Sequence, residues 1–88
     1  MVHRVLEISN DEGLRAKAAA LFVSVASKYA SQVIIEKGNK KINAKSIMGV
    51  LSLGVTKGEP IHIIASGDDE RQAIAALTEL VKAGFKEN

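Results

Sequence analysis

The chain contains no cysteine and no tryptophan, and only one tyrosine, two phenylalanines and one proline. Without cysteine there is no disulfide framework, no thiolate metal site and no sulfur nucleophile. With Phe22, Tyr29 and Phe85 as its aromatic residues, it lacks the platform on which single-strand nucleic-acid binders stack successive bases. Charge of one sign is also scarce: 12 Lys+Arg against 10 Asp+Glu give a net charge of +2. That excess is too small for a DNA footprint, so no direct nucleic-acid contact is expected. Long apolar runs are missing too. None approaches the ~18 residues of a membrane span, and Met1-Val2-His3-Arg4 does not open a secretory signal. The chain reads as cytoplasmic, with no membrane attachment.

What is present is the balance of a globular domain, 47% hydrophobic and 25% charged. The 88 residues suffice for one domain, 1–88. At this size about 60% of the unfolded surface is buried, so function must sit near the surface. Val2 to Ile8 reads as a strand and Asn10-Asp11-Glu12-Gly13 as a turn. Ala16 to Ala30 predicts an alanine-rich helix, with Ala19, Phe22, Val23, Ala26 and Ala30 as its buried stripe. Gln32 to Glu36 is a β-branched strand, turning at Gly38-Asn39 into a short strand around Lys41-Ile42-Asn43. Ser46 to Leu53 predicts a short helix capped by Ser46. Ile61 to Ser66 is a fourth strand with Ile61, Ile63 and Ala65 on one face. Glu70 to Lys82 is a last helix with Ile74, Leu77, Leu80 and Val81 inward, closed by Gly84. The order β-α-β-β-α-β-α predicts an α+β open-faced sandwich, a four-stranded antiparallel sheet covered on one face by three helices.

The stretch Asn43-Ala44-Lys45-Ser46-Ile47-Met48-Gly49-Val50-Leu51-Ser52-Leu53-Gly54 resembles the HPr family, the histidine-containing phosphocarriers of the bacterial sugar phosphotransferase system. The resemblance spans nearly the whole chain and includes Ala26-Ser27-Lys28-Tyr29 and Ala65-Ser66-Gly67. Lys45-Ser46-Ile47-Met48-Gly49 is its specific part and resembles the Gram-positive branch, in which HPr kinase/phosphorylase modifies the serine. The family's active-site histidine lies in a Gly-Ile/Leu-His-Ala-Arg-Pro-Ala motif. The corresponding segment here is Gly13-Leu14-Arg15-Ala16-Lys17-Ala18-Ala19. The histidine position holds Arg15, and Lys17 and Ala18 replace the arginine and proline. The loss of the histidine resembles Crh, the catabolite-repression group of HPr paralogues, which usually keeps the Ala-Arg-Pro-Ala that follows.

Phosphoryl relay requires a neutral imidazole nitrogen; Arg15, with a guanidinium pKa above ~12, stays protonated and is no nucleophile. His3 and His62 fall within strands, away from any helix N-terminus. Two histidines without a placed carboxylate or cysteine also fall short of the usual metal-ligand set. No catalytic residue, metal or cofactor is therefore expected. Ser46, by contrast, combines a helix cap with a motif resembling a phosphorylation site. A phosphate there would sit at the helix's positive end beside Lys45. The resemblance implies a partner-binding face comprising Arg15, Lys17, Ala20, Leu21, Ser24, Ile47, Met48 and Leu51, with Lys45 beside it. It also implies that the serine-phosphorylated protein acts as corepressor of catabolite control protein A. A phosphocarrier in the strict sense and a degenerate, unphosphorylated paralogue remain alternatives. The short first strand, followed by a glycine-containing turn, leaves exchange of that strand between two chains open, and with it a homodimer.

Overall fold

A computed structural model describes residues 1–86; Glu87 and Asn88, the last two positions of the expected domain, lie outside the described residues. Four strands and three helices follow the predicted order: β1 Val2–Glu7, α1 Ala16–Ser27, β2 Gln32–Lys37, β3 Lys40–Asn43, α2 Ile47–Ser52, β4 Pro60–Ser66 and α3 Glu70–Lys82. The strands form one antiparallel sheet in the order β1-β4-β2-β3.

Side-chain alternation decides which face of the sheet is covered. Along β4, Ile61, Ile63 and Ala65 are buried while His62 and Ile64 are half-exposed. The register places Leu6 opposite Ile61 on one side, and Ile35 and Val33 opposite Ile63 and Ala65 on the other. These residues make a continuous apolar row under the helices. Phe22 of α1 and Leu77 and Val81 of α3 close over it, each almost wholly shielded from solvent. A buried side chain of this size stabilises the fold by roughly 1.5–3 kcal/mol. Small residues Ala18, Ala19 and Ala26 are buried in α1 and bring it close to its neighbours.

Two departures from the expected helices have local causes. Helix α1 ends at Ser27, three residues before Ala30. Its last turn tightens through Lys28 N–H to the Val25 carbonyl (3.1 Å) and Tyr29 N–H to the Ala26 carbonyl (3.3 Å). The next two N–H groups, of Ala30 and Ser31, donate to the Asp69 carboxylate at 2.9 Å each, so the chain leaves the helix there. Ala30 is accordingly exposed and not part of the buried stripe. In α3, Leu80 is only half-buried, whereas Ala73 and Thr78 join Ile74, Leu77 and Val81 inside. Thr78 is tolerated because its hydroxyl donates to the Ile74 carbonyl at 2.7 Å.

The β2–β3 turn occupies Gly38 and Asn39 between paired Lys37 and Lys40. Gly38 supplies the positive φ of 58° that such a turn requires.

Candidate functional site

Ser46 caps α2. Its backbone is extended (φ −105°, ψ 114°), and its hydroxyl accepts the Gly49 N–H at 3.1 Å. The approach is set one turn earlier in the chain, where the Asn43 side-chain oxygen accepts the Lys45 N–H at 2.9 Å and the Asn43 carbonyl accepts the Ser46 N–H at 3.0 Å. Ser46 itself is partly exposed, and its hydroxyl is fixed in orientation by the Gly49 bond. Gly49, the last residue of the motif, supports the cap in a way the motif alone does not state. A Cβ at this position would stand 3.1 Å from Ile42 Cδ1 and 3.3 Å from the Ser46 hydroxyl, so a side chain would crowd the cap.

Around the cap, α2 divides its apolar residues between two directions. Val50 and Leu53 are buried, whereas Ile47, Met48 and Leu51 are 40%, 74% and 42% exposed. A six-residue helix has one inward face, and the three left outside form an uncovered apolar patch. Helix α1 packs against α2. On α1, Arg15, Lys17, Ala20 and Ser24 are exposed, and Leu21 is half-buried against the core.

The α1 terminus is built differently from that of α2. Arg15 occupies the cap position with an extended backbone and makes no side-chain cap, and no acidic residue lies in the first turn. Its carbonyl accepts the N–H groups of Ala18 (3.1 Å) and Ala19 (3.4 Å). Ala16 follows with φ of 50°, the left-handed region that non-glycine residues rarely occupy. The loop before it is pinned to the chain after α2. Leu14 N–H donates to the Val55 carbonyl at 3.0 Å, and a Cβ on Gly13 would run into that same oxygen.

Three lysines of the middle segment serve separate contacts. Lys37 donates to the Leu53 and Gly54 carbonyls and to Glu59, each at 3.2 Å, and thereby closes the end of α2. Lys41 pairs with Glu36 at 3.5 Å. Lys45, expected beside a phosphate at Ser46, instead donates to the Tyr29 carbonyl at 2.6 Å and bridges to the end of α1.

Several carboxylates are held in their charged form. Glu59 is lowered to about 2, first by the Thr56 N–H, then by the Thr56 hydroxyl and Lys37. Asp69 is lowered by the Ser31 hydroxyl above all, with the Ala30 N–H next. Glu70 is lowered by the Gly67 N–H and by the chain's amino group, which it meets at 3.0 Å. None of these groups lies beside Ser46; they stabilise the frame that holds it. Among the described residues, no three or more His, Asp or Glu side chains gather into a metal-binding cluster. Among the described residues, no helix is long and apolar enough to cross a membrane.

This frame and this cap match known proteins along nearly the whole chain. The family model for HPr, described as "PTS HPr component phosphorylation site", matches residues 2–83. The HPr-like protein Crh of Bacillus subtilis is 45% identical over 82 residues, covering 93% of this chain and 96% of that protein. The crystal structure of HPr-C-His from Thermoanaerobacter tengcongensis superimposes with a TM-score of 0.97 at 52% identity, covering 100% of this chain and 99% of the other. The crystal structure of Crh from Bacillus subtilis, described as a swapped dimer, gives 0.76 at 42% identity, covering 99% and 100%. The chain belongs to the HPr family, with HPr-like Crh proteins among its relatives.

Proposed function

We propose that this chain is a non-catalytic regulatory HPr-like protein of the Crh type. Ser46 receives a phosphoryl group from HPr kinase/phosphorylase, and the phosphorylated form serves as corepressor of catabolite control protein A in carbon catabolite repression. The observation that carries this reading is the juxtaposition at α2. A partly exposed hydroxyl sits at the helix's N-cap, one residue before the exposed Ile47 and Met48. Phosphorylation there adds nearly two negative charges at the positive end of a helix and next to an apolar patch. That combination suits a partner offering a basic pocket beside an apolar surface. Arg15, Lys17, Ala20, Leu21 and Ser24 of α1 complete the partner-binding face, and Ile47, Met48 and Leu51 supply its apolar part. The relatives named Crh support the regulatory role. The protein works in the cytoplasm and reaches DNA only through the repressor.

Incubation with HPr kinase/phosphorylase and ATP, followed by intact-mass measurement, tests the first step. One phosphate on the wild type and none on Ser46→Ala is the expected result. Capture of the repressor by the phosphorylated form alone tests the second.

A second reading, the phosphocarrier, is favoured by one observation, the 52% identity to the Thermoanaerobacter HPr. Against it stands Arg15, whose guanidinium stays protonated and offers no imidazole nitrogen for the relay. An acid-labile adduct formed with phosphoenolpyruvate and enzyme I would establish this reading in place of the first. The relatives described as dimers support a homodimer as a further state of this chain. In the present fold β1 pairs with β4 of its own chain. Size-exclusion chromatography with light scattering, across a concentration series, distinguishes the two states.

A further inference from the structure

The uncovered face of the sheet holds the protein's two histidines, which the sequence separates by 58 intervening positions and the fold brings together. In the β1–β4 register, Val5 lies opposite His62 and His3 opposite Ile64. His3 and His62 are thus diagonal neighbours on one face, the arrangement in which long or aromatic side chains meet. His3 Nδ1 and His62 Nε2 are 3.1 Å apart, with ring centroids at 5.1 Å and planes inclined by 37°. Behind His62, its other nitrogen Nδ1 faces Glu36 Oε1 at 3.5 Å. Lys41 meets the second oxygen of that carboxylate at 3.5 Å.

We propose that His3 and His62, with Glu36 behind His62, form a two-nitrogen binding site for a borderline transition-metal ion such as Zn²⁺. The argument rests on three features. First, two imidazole nitrogens bound to one ion at ~2.0–2.1 Å stand about 2.9–3.4 Å apart for angles between right and tetrahedral. The 3.1 Å separation already falls in that interval. Second, the Glu36 carboxylate lies 3.5 Å from His62 Nδ1, which favours a proton on that nitrogen and leaves the Nε2 lone pair facing His3. This is the carboxylate–histidine arrangement that orients metal-bound imidazoles. Third, both rings are open to solvent, His3 being exposed and the His62 side chain 33% exposed, so an ion has an entry path.

Binding conserves protons in the neutral pair. His3 gives up the Nδ1 proton it shares with His62 and takes one at Nε2, while His62 keeps its proton toward Glu36. Both facing lone pairs then coordinate the ion. With two protein ligands, the remaining positions go to water or to an external donor. This makes the site weaker and more open than a structural zinc site with four ligands. The ion would join edge strand β1 to β4, so it would stabilise the folded chain by mass action. None of this depends on Ser46 or its modification.

The test is calorimetric titration of untagged protein with Zn²⁺ at neutral pH, paired with imidazole NMR spectra and melting curves. Wild type is expected to bind one ion, with the signals of both rings shifting together and the melting temperature rising with Zn²⁺. His3→Gln and His62→Gln should each weaken binding at least tenfold and abolish the thermal shift. Glu36→Gln should weaken it about 10–100-fold, the usual effect of losing the group behind a ligand. Melting curves without metal confirm that the variants fold. Full binding by His62→Gln would overturn the proposal, because His3 with the chain's amino end would then hold the ion. Absence of any heat, ring shift or thermal shift in wild type would overturn it too.

Discussion

The carboxylate of Asp69 receives both the hydroxyl and the backbone N–H of Ser31, the latter at 2.9 Å. With the Ala30 N–H on its other oxygen, Asp69 clamps the exit of α1 and the start of β2 to the start of α3. Space is tight on the same spot. A Cβ at Gly67 would stand 2.6 Å from the Ser31 hydroxyl and 2.8 Å from its Cα.

This clamp predicts an asymmetry between adjacent acids. Asp69→Ala should lower the urea midpoint clearly, whereas Asp68→Ala, an exposed neighbour, should stay within about 0.5 kcal/mol of wild type. Gly67→Ala should also destabilise, from the opposite side of the contact. Equal effects at positions 68 and 69 would show that helix-dipole charge alone matters there.

Stability should fall in acid, through the lowered carboxylates. Glu59 titrates at about 2 in the folded protein against 4.5 ordinarily, so in that interval the unfolded chain binds more protons. Its contribution is fully present above pH 4.5 and lost as pH drops toward 2. Asp11, Asp69 and Glu70 are shifted in the same direction and add to the slope. Urea midpoints measured through this range should decline steeply for wild type and less steeply for Glu59→Gln. Parallel slopes would remove Glu59 from the account.

Most of the frame was legible because its signals are local. The β-branched run 32–36, the Gly38-Asn39 turn and the Ser46 cap each declare themselves within a few residues, and the structure has them. What periodicity could not convey was any choice decided by a distant partner. Ala30 continues the helical pattern of α1, yet its N–H is taken by Asp69, 39 positions away. Lys45 reads as a cation beside Ser46, and its ammonium also donates to the Tyr29 carbonyl, 16 positions away. The exposure of Ile47, Met48 and Leu51 was undecided in the sequence, because only packing against α1 and β3 determines which side of α2 is inward. The meeting of His3 with His62 depends on strand register, which neither segment states alone.

Removing the Ser46 hydroxyl separates its cap from its proposed phosphorylation. Ser46→Ala should cost about 1 kcal/mol through the lost cap, a melting-temperature drop of roughly 4–8 °C for a domain of this size. Ser46→Thr should retain most of that stability, since its hydroxyl can still accept the Gly49 N–H. Phosphorylated wild type should melt no lower than the unmodified form, given an anion at a helix N-terminus. A phosphorylated form that unfolds early would mean that the cap geometry cannot accommodate the added group.

The apolar residues of α2 should divide cleanly between binding and folding. Met48→Ala, at a side chain 74% exposed, should leave stability within about 0.5 kcal/mol. If the patch is the repressor contact, affinity of the phosphorylated protein should drop about tenfold, the scale of a lost interface anchor. Val50→Ala, fully buried, should instead cost about 2 kcal/mol of stability through the cavity it leaves. Denaturation midpoints and repressor titrations on the same two variants check both halves.

Arg15 offers the sharpest contrast between stability and recognition. An exposed cation at the cap of α1 opposes the helix dipole, and the first turn holds no acid to offset it. Arg15→Gln should therefore raise stability by about 0.3–1 kcal/mol. A residue that costs stability at a helix terminus on the proposed binding face is expected to meet an acidic group on the partner. The same variant should thus bind the repressor or the kinase more weakly, and with a shallower dependence on salt, since one screened charge pair is gone. Higher stability with unchanged affinity and unchanged salt dependence would reduce Arg15 to a solvated surface cation and confine the partner-binding face to α2.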